Sequence, residues 1–189
     1  MISKLTSLTL IVFIGFSCSE VSREKRPLVD AVDKKVHDID ANHRVSIMED
    51  DFHQGDSVYK IRGYFMDDQL LKLVGFLKTP RFDREDFFYF ERHEPIFSGH
   101  LMVEKVENIA AEYKYYYGED GFVDEALFWE DHYTPGKRFP IEHFSEFEPD
   151  KDSLRAEEEE RLMFFLGKLD MEGFEIRHLN ENLEANTER

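Results

Sequence analysis

The spacing best suited to a metal ion lies early in the chain. Asp38, Asp40 and Asn42 alternate, Val45 follows, and Glu49 closes a run of 12 residues. Calcium takes about six to eight hard oxygens, and a tight loop with acids at alternate positions and a closing Glu supplies them. Asp38, Asp40, Asn42 and Glu49 are therefore candidate calcium ligands, and calcium is the one cofactor the chain suggests. Against that reading, His43 stands where the sharp turn would need glycine. The plainer alternative is an acidic helix end running into a polar loop. A second set is aromatic: Tyr64, Tyr89 and Tyr116 occupy the same place in three copies of one pattern. A column of phenol rings could stack on a sugar or grip a peptide, or it could pack across strands. Glu130-Asp131-His132 and Glu142-His143 pair acids with imidazoles, but neighbours in a strand point to opposite faces and make no dyad. The acidic pairs Asp67-Asp68 and Glu119-Asp120 sit in turn-like stretches, where Asp stabilises the turn itself. No GxSxG, HExxH or phosphate-cradling glycine loop occurs. A non-catalytic protein is expected.

The elements that must position these residues are written as repeats. Residues 63–77, 88–102 and 115–129 each read as an aromatic strand, a polar turn and a second apolar strand. They align without a gap. Leu71, Ile96 and Val123 then share a column, as do Phe76, Leu101 and Phe128, and Leu77, Met102 and Trp129. Repetition at this period signals one supersecondary unit stacked on itself, here a β-hairpin. A leading hairpin is expected from Val45, with a turn over residues 53–56. A last strand is expected over residues 138–147, kept at an edge by Pro140.

Two helices flank the hairpins. Leu28, Val29, Val32, Val36 and Ile39 recur at spacings of three and four behind Pro27, which suits a first helical turn. Leu162, Phe165, Leu166 and Leu169 form a second stripe in a helix starting near Ser153, behind Pro149, Asp150 and Asp152. The acids 157–160 in its first turns suit the positive end of the helix dipole. The expected fold is α+β: an antiparallel meander of about seven or eight strands with an N-terminal and a C-terminal helix packed on it. The strands are apolar on both faces, with Tyr113, Tyr115 and Tyr117 on one side and Lys114 and Tyr116 on the other. The second face must be covered by a helix or left as a binding surface.

Composition bounds the partners. The formal charge is -17, and 18 Phe and 8 Tyr supply aromatic surface for a packed core. A surface this negative repels phosphate backbones, so no nucleic-acid partner is expected. The chain opens with Lys4, a mainly apolar run over residues 5–16, and then Ser17 and Cys18, the only cysteine. That layout resembles a bacterial lipoprotein signal, and with Gly15 and Phe16 ahead of Ser17 it is similar to the looser motifs of Bacteroidota lipoproteins. The resemblance implies removal of residues 1–17, lipid on Cys18 and attachment to a bacterial envelope membrane, the outer membrane being the expected one. Residues 18–27 then form the anchor and tether, 28–176 a single domain, and 177–189 a flexible tail. The hairpins are similar in length and layout to MORN-type repeats, without their regular Gly-Trp positions. The order of signal, short helix, meander and acidic helix resembles small envelope lipoproteins. The expected function is a membrane-anchored, non-catalytic module that engages an envelope protein. The alternatives are a glycan- or peptide-binding module using the tyrosine column, and calcium binding through residues 38–49.

Overall fold

A computed structural model describes residues 26–135 and 140–170. The signal segment 1–17, Cys18 and the tail 177–189 lie outside the described residues. Eight strands form one antiparallel sheet in chain order: β1 (Ser46–Gln54), β2 (Ser57–Met66), β3 (Gln69–Lys78), β4 (Phe82–Glu91), β5 (Glu94–Glu104), β6 (Ile109–Tyr117), β7 (Val123–His132) and β8 (Ser145–Glu146). Helix α1 (Pro27–Asp40) packs on one face and α2 (Lys151–Lys168) on the other. The fold is thus the expected α+β meander, with each face of the sheet taking one helix. Among the described residues, no helix is long and apolar enough to cross a membrane.

The repeat encodes more than a hairpin. In each copy the ladder shifts register next to the turn, at Tyr64/Phe65, Tyr89/Phe90 and Tyr116/Tyr117. Each tyrosine of the column is therefore the last regularly paired residue before a bulge, a device that bends a strand and re-aims its side chains. The first two copies turn through Asp67-Asp68 (φ 50° and 61°) and Arg92-His93 (φ 53° and 69°). Positive φ at both central residues matches the twist of a two-residue hairpin. The third copy instead takes the longer loop 118–122, with Gly121 at φ 75°.

That longer loop corrects the ungapped alignment. Cross-strand pairing sets Lys60, Phe76, Glu85, Leu101, Glu112 and Trp129 in one row. The counterpart of Phe76 and Leu101 is therefore Trp129, not Phe128. A slip of one residue exchanges the faces of a strand. Phe128 accordingly points to the α2 side, paired with Tyr113, and Trp129 to the α1 side.

The last strand is also shorter than the residue pattern implies. The chain makes a short 3-10 turn at Ile141–His143, and among the described residues of this segment only Ser145 and Glu146 pair with β7. Pro140 has no N–H for a ladder, and Phe144 leaves the strand path to bury itself 6.4 Å from Trp129. Helix α2 starts at Lys151, two residues before Ser153. The Asp150 side chain caps it, accepting from the Asp152 and Ser153 N–H groups at 3.2 Å each.

The stripe of α2 packs as its spacing implies. Leu162, Phe165, Leu166 and Leu169 are buried against Ile61, Leu73, Phe88 and their neighbours. Phe165 lies directly on Gly75, where an added Cβ would stand 2.2 Å from the ring Cζ. Gly75→Ala is expected to cost about 1–3 kcal/mol by overpacking. A lowered urea midpoint for the single variant, largely restored in Gly75→Ala/Phe165→Leu, checks the contact.

Candidate functional site

The tyrosine column is in register, as the repeat implies. Tyr64, Lys72, Tyr89, Phe97 and Tyr116 form one row across β2 to β6 on the α1 face. Its middle is occupied by the helix. Tyr89 and Tyr116 are 5% and 0% exposed, while Tyr64 at the end of the row is half-buried. The Tyr116 hydroxyl donates to Asp33 Oδ1 at 3.1 Å, and the Tyr89 hydroxyl reaches both carboxylate oxygens of Asp40 at 3.0 and 3.1 Å. Burial, reinforced by the charge of Asp33, pushes the Tyr116 hydroxyl well above its ordinary value. Lys72 Nζ completes the seat, 2.7 Å from Asp40 Oδ1 and 4.8 Å above the Tyr89 ring. The column is chiefly a mounting for α1. Tyr116→Phe should therefore destabilise the fold by about 1.5–3 kcal/mol, the range for a hydrogen bond to a charged group. Denaturation of Tyr116→Phe beside Tyr64→Phe, whose hydroxyl lies at the open end, measures the difference.

The candidate calcium ligands are divided among three elements. Asp38 and Asp40 sit in the last turn of α1, Asn42 in the turn that follows, and Glu49 in β1. Asp40 serves Tyr89 and Lys72, Asn42 Oδ1 accepts the Arg44 N–H at 2.9 Å, and Glu49 Oε2 receives Arg62 Nε at 3.0 Å. Among the described residues, no three His, Cys, Asp or Glu side chains gather as a metal site would need.

Beside α1 the same face of the sheet stays open as a groove of ≈ 350 Å³. Its floor is apolar: Phe87, Phe97, Leu101 and Trp129, with Tyr133 at one end. Gly99 shapes that floor. A Cβ there would meet the Tyr113 carbonyl oxygen at 2.3 Å and the Phe87 ring at 2.7 Å, so Phe87 stacks on Phe97, centroids 5.7 Å apart, only because position 99 is bare. The rim is charged. Asp33 and Asp40 come from α1, Glu85 and Glu112 from the sheet, against Lys72 and Lys114. Both lysines are engaged, Lys72 by Asp40 and Lys114 at 3.5 Å from Glu112 and 4.4 Å above the Phe144 ring. Carboxylates outnumber amines around an aromatic floor, an arrangement suited to recognition of apolar and basic groups.

The opposite face holds a polar cluster that the residue pattern did not mark. Arg161 Nη1 donates to Asp86 Oδ1 at 3.0 Å, and its Nη2 donates to Glu158 Oε1. Arg84 Nη2 reaches the same Asp86 oxygen at 2.7 Å. Asp86 and Glu158 are 4% and 6% exposed. His100 lies at their centre, Nδ1 3.2 Å from Arg161 Nη1 and its ring stacked 4.6 Å from Tyr113. Burial, Arg84 and Arg161 push the imidazole down to about 3, so at neutral pH its Nδ1 accepts the Arg161 proton. Burial pushes the Glu158 carboxyl up, against Arg161 and the Ser98 hydroxyl, which hold it down. The run 157–160 looks like a solvated acidic face. Helical spacing was the available signal, since Glu158 lies four residues after Leu154 and four before Leu162, on the buried stripe.

No family model, no curated protein and no solved structure matches this chain.

Proposed function

We propose that the protein is a lipid-anchored, non-catalytic binding module of a bacterial envelope, tethered through Cys18, and that the groove beside α1 receives a segment of a protein partner. The observation that carries this reading is the groove itself, an aromatic floor under a rim in which Asp33, Asp40, Glu85 and Glu112 outnumber Lys72 and Lys114. A peptide fits it better than a glycan. Sugar stacking needs a flat, open ring face, and Trp129 and Tyr89 are only 7% and 5% exposed. An aliphatic side chain can instead settle between Phe87 and Leu101, with a basic neighbour meeting Glu85 and Glu112. The overall charge of -17 adds attraction for such a segment and disfavours nucleic acid.

A photo-crosslinking amino acid at Leu101, introduced into the protein expressed in cells, tests the reading. One dominant protein adduct is expected, weakened in Glu85→Lys/Glu112→Lys and in Cys18→Ala. A failure of Leu101 to crosslink any protein, or an adduct indifferent to charge reversal, would remove the groove from consideration.

A further inference from the structure

A second enclosed space lies on the far side of the sheet, where the third hairpin departs from its two sisters. Its loop, residues 118–122, carries Phe122 to the N-terminal turns of α2. There the Arg155 guanidinium lies 5.1 Å over the Phe122 ring, and Arg155 Nε donates to Glu159 Oε1 at 2.7 Å. Behind this contact is a cavity of ≈ 50 Å³ walled by Phe88, Val123, Leu154 and Leu162. Its inner polar features are Glu158 and Tyr117, while Lys151, Arg155 and Glu159 stand at its more exposed edge. Glu158 Oε1 is taken by Arg161, which lies outside the wall, whereas the buried Oε2 has no donor in hydrogen-bonding geometry, the Ser98 hydroxyl that helps hold the carboxyl down lying 2.9 Å from the Tyr117 hydroxyl. The Tyr117 hydroxyl is 2.9 Å from Ser98 Oγ and keeps a lone pair free for a donor.

We infer that this cavity is a binding site for a small primary alkylamine, its ammonium group received by Glu158 Oε2 and the Tyr117 hydroxyl and its chain lying along Leu154, Val123 and Phe122. A buried carboxylate oxygen without a donor is disfavoured, and a charged N–H donor answers it best. Water alone answers it poorly, because an ordered water needs several polar partners and these walls are mainly apolar. The space holds the ammonium group and the first carbons, with the rest of the chain leading out past Phe122. At the mouth Arg155 is already neutralised by Glu159, Lys151 is exposed and screened by solvent, and the net charge of -17 favours a cation. The site is independent of the groove on the α1 face.

The test is a ¹⁵N NMR titration of the full chain at pH 7 with n-propylammonium chloride, beside n-propanol at matched ionic strength. Saturable shifts at the amides of Gly121, Phe122, Val123 and Leu154 are expected, with a Kd of about millimolar, given the few heavy atoms of the probe. Propanol should bind at least about tenfold more weakly, since it lacks the charge-assisted bond. Glu158→Gln keeps an oxygen for Arg161 and should erase the preference for amine over alcohol. Tyr117→Phe, which leaves Glu158 in place, should weaken the amine several-fold. Absence of saturable shifts in the wild type, equal binding of amine and alcohol, or an amine preference that survives Glu158→Gln would overturn the assignment.

Discussion

Arg161→Met is expected to lower unfolding free energy by roughly 3–5 kcal/mol, the range for breaking a buried ion pair from one side. The arginine links Asp86 of β4 to Glu158 of α2: it donates to both carboxylates, and both are almost fully buried. Removing it leaves Glu158 without its cation and His100 without the N–H that satisfies Nδ1. Arg84→Met should cost less, because Asp86 keeps Arg161. Replacing the network together, as Arg161→Met/Asp86→Leu/Glu158→Leu, should recover most of the loss, since no charge then remains buried unpaired. Urea denaturation of the three variants decides it. A single-variant cost below about 1 kcal/mol would show that the cluster is solvated and weak, as surface pairs are.

Acid should act on the same cluster through His100. The folded imidazole titrates at about 3 and the free one at 6.5. As pH falls below 6.5 the unfolded chain takes up this proton and the folded chain does not, so stability is lost progressively until about pH 3. At 1.36 kcal/mol per unit, the full loss is about 4–5 kcal/mol. Glu158 works in the opposite direction. Its carboxyl is pushed up from 4.5, so the penalty for burying its charge is relieved as pH falls through its folded value toward 4.5. The two effects oppose each other above 4.5, and the net loss steepens below it. The other groups facing the imidazole are Arg84 and Asp86 on β4, Tyr113 and Tyr115 on β6, and Arg161 on α2. His100→Gln offers Arg161 an amide oxygen and cannot titrate. Its stability between pH 7 and 3.5 should decline less than that of the wild type, by several kcal/mol at the acid end. Parallel curves for the two proteins would show that the imidazole takes up its proton in the fold as readily as in the unfolded chain.

Both effects arise from residues that a pattern of types hides. Asp86 alternates with Phe88 on the α2 face of β4, and its neighbours there read only as a mixed strand. Glu158 is one of four successive glutamates, and only the helical period separates it from the solvated ones. What selects these acids for burial is Arg161, brought to Asp86 from 75 residues away. The groove was hidden for a related reason. Leu101 and Trp129 share a row, with Phe87 in the next row on the same face, and an alignment without a gap puts Phe128 in the place of Trp129.

The amino-acid sequence alone determined the meander, its three repeated hairpins, both helices and the stripe by which α2 packs. Each of these is a local matter: alternation at a period of two makes a strand, spacing of three and four makes a helix, and short polar turns join neighbours without a choice of topology. The tertiary structure decided which face each helix covers, that the tyrosine column seats α1 with Tyr89 and Tyr116 buried, and that residues 145–146 extend the sheet as β8. It also decided that Trp129 rather than Phe128 lines the groove. Those outcomes turn on register and docking, where one extra residue in the loop 118–122 exchanges the faces of a strand and contacts distant in sequence choose which polar groups are buried.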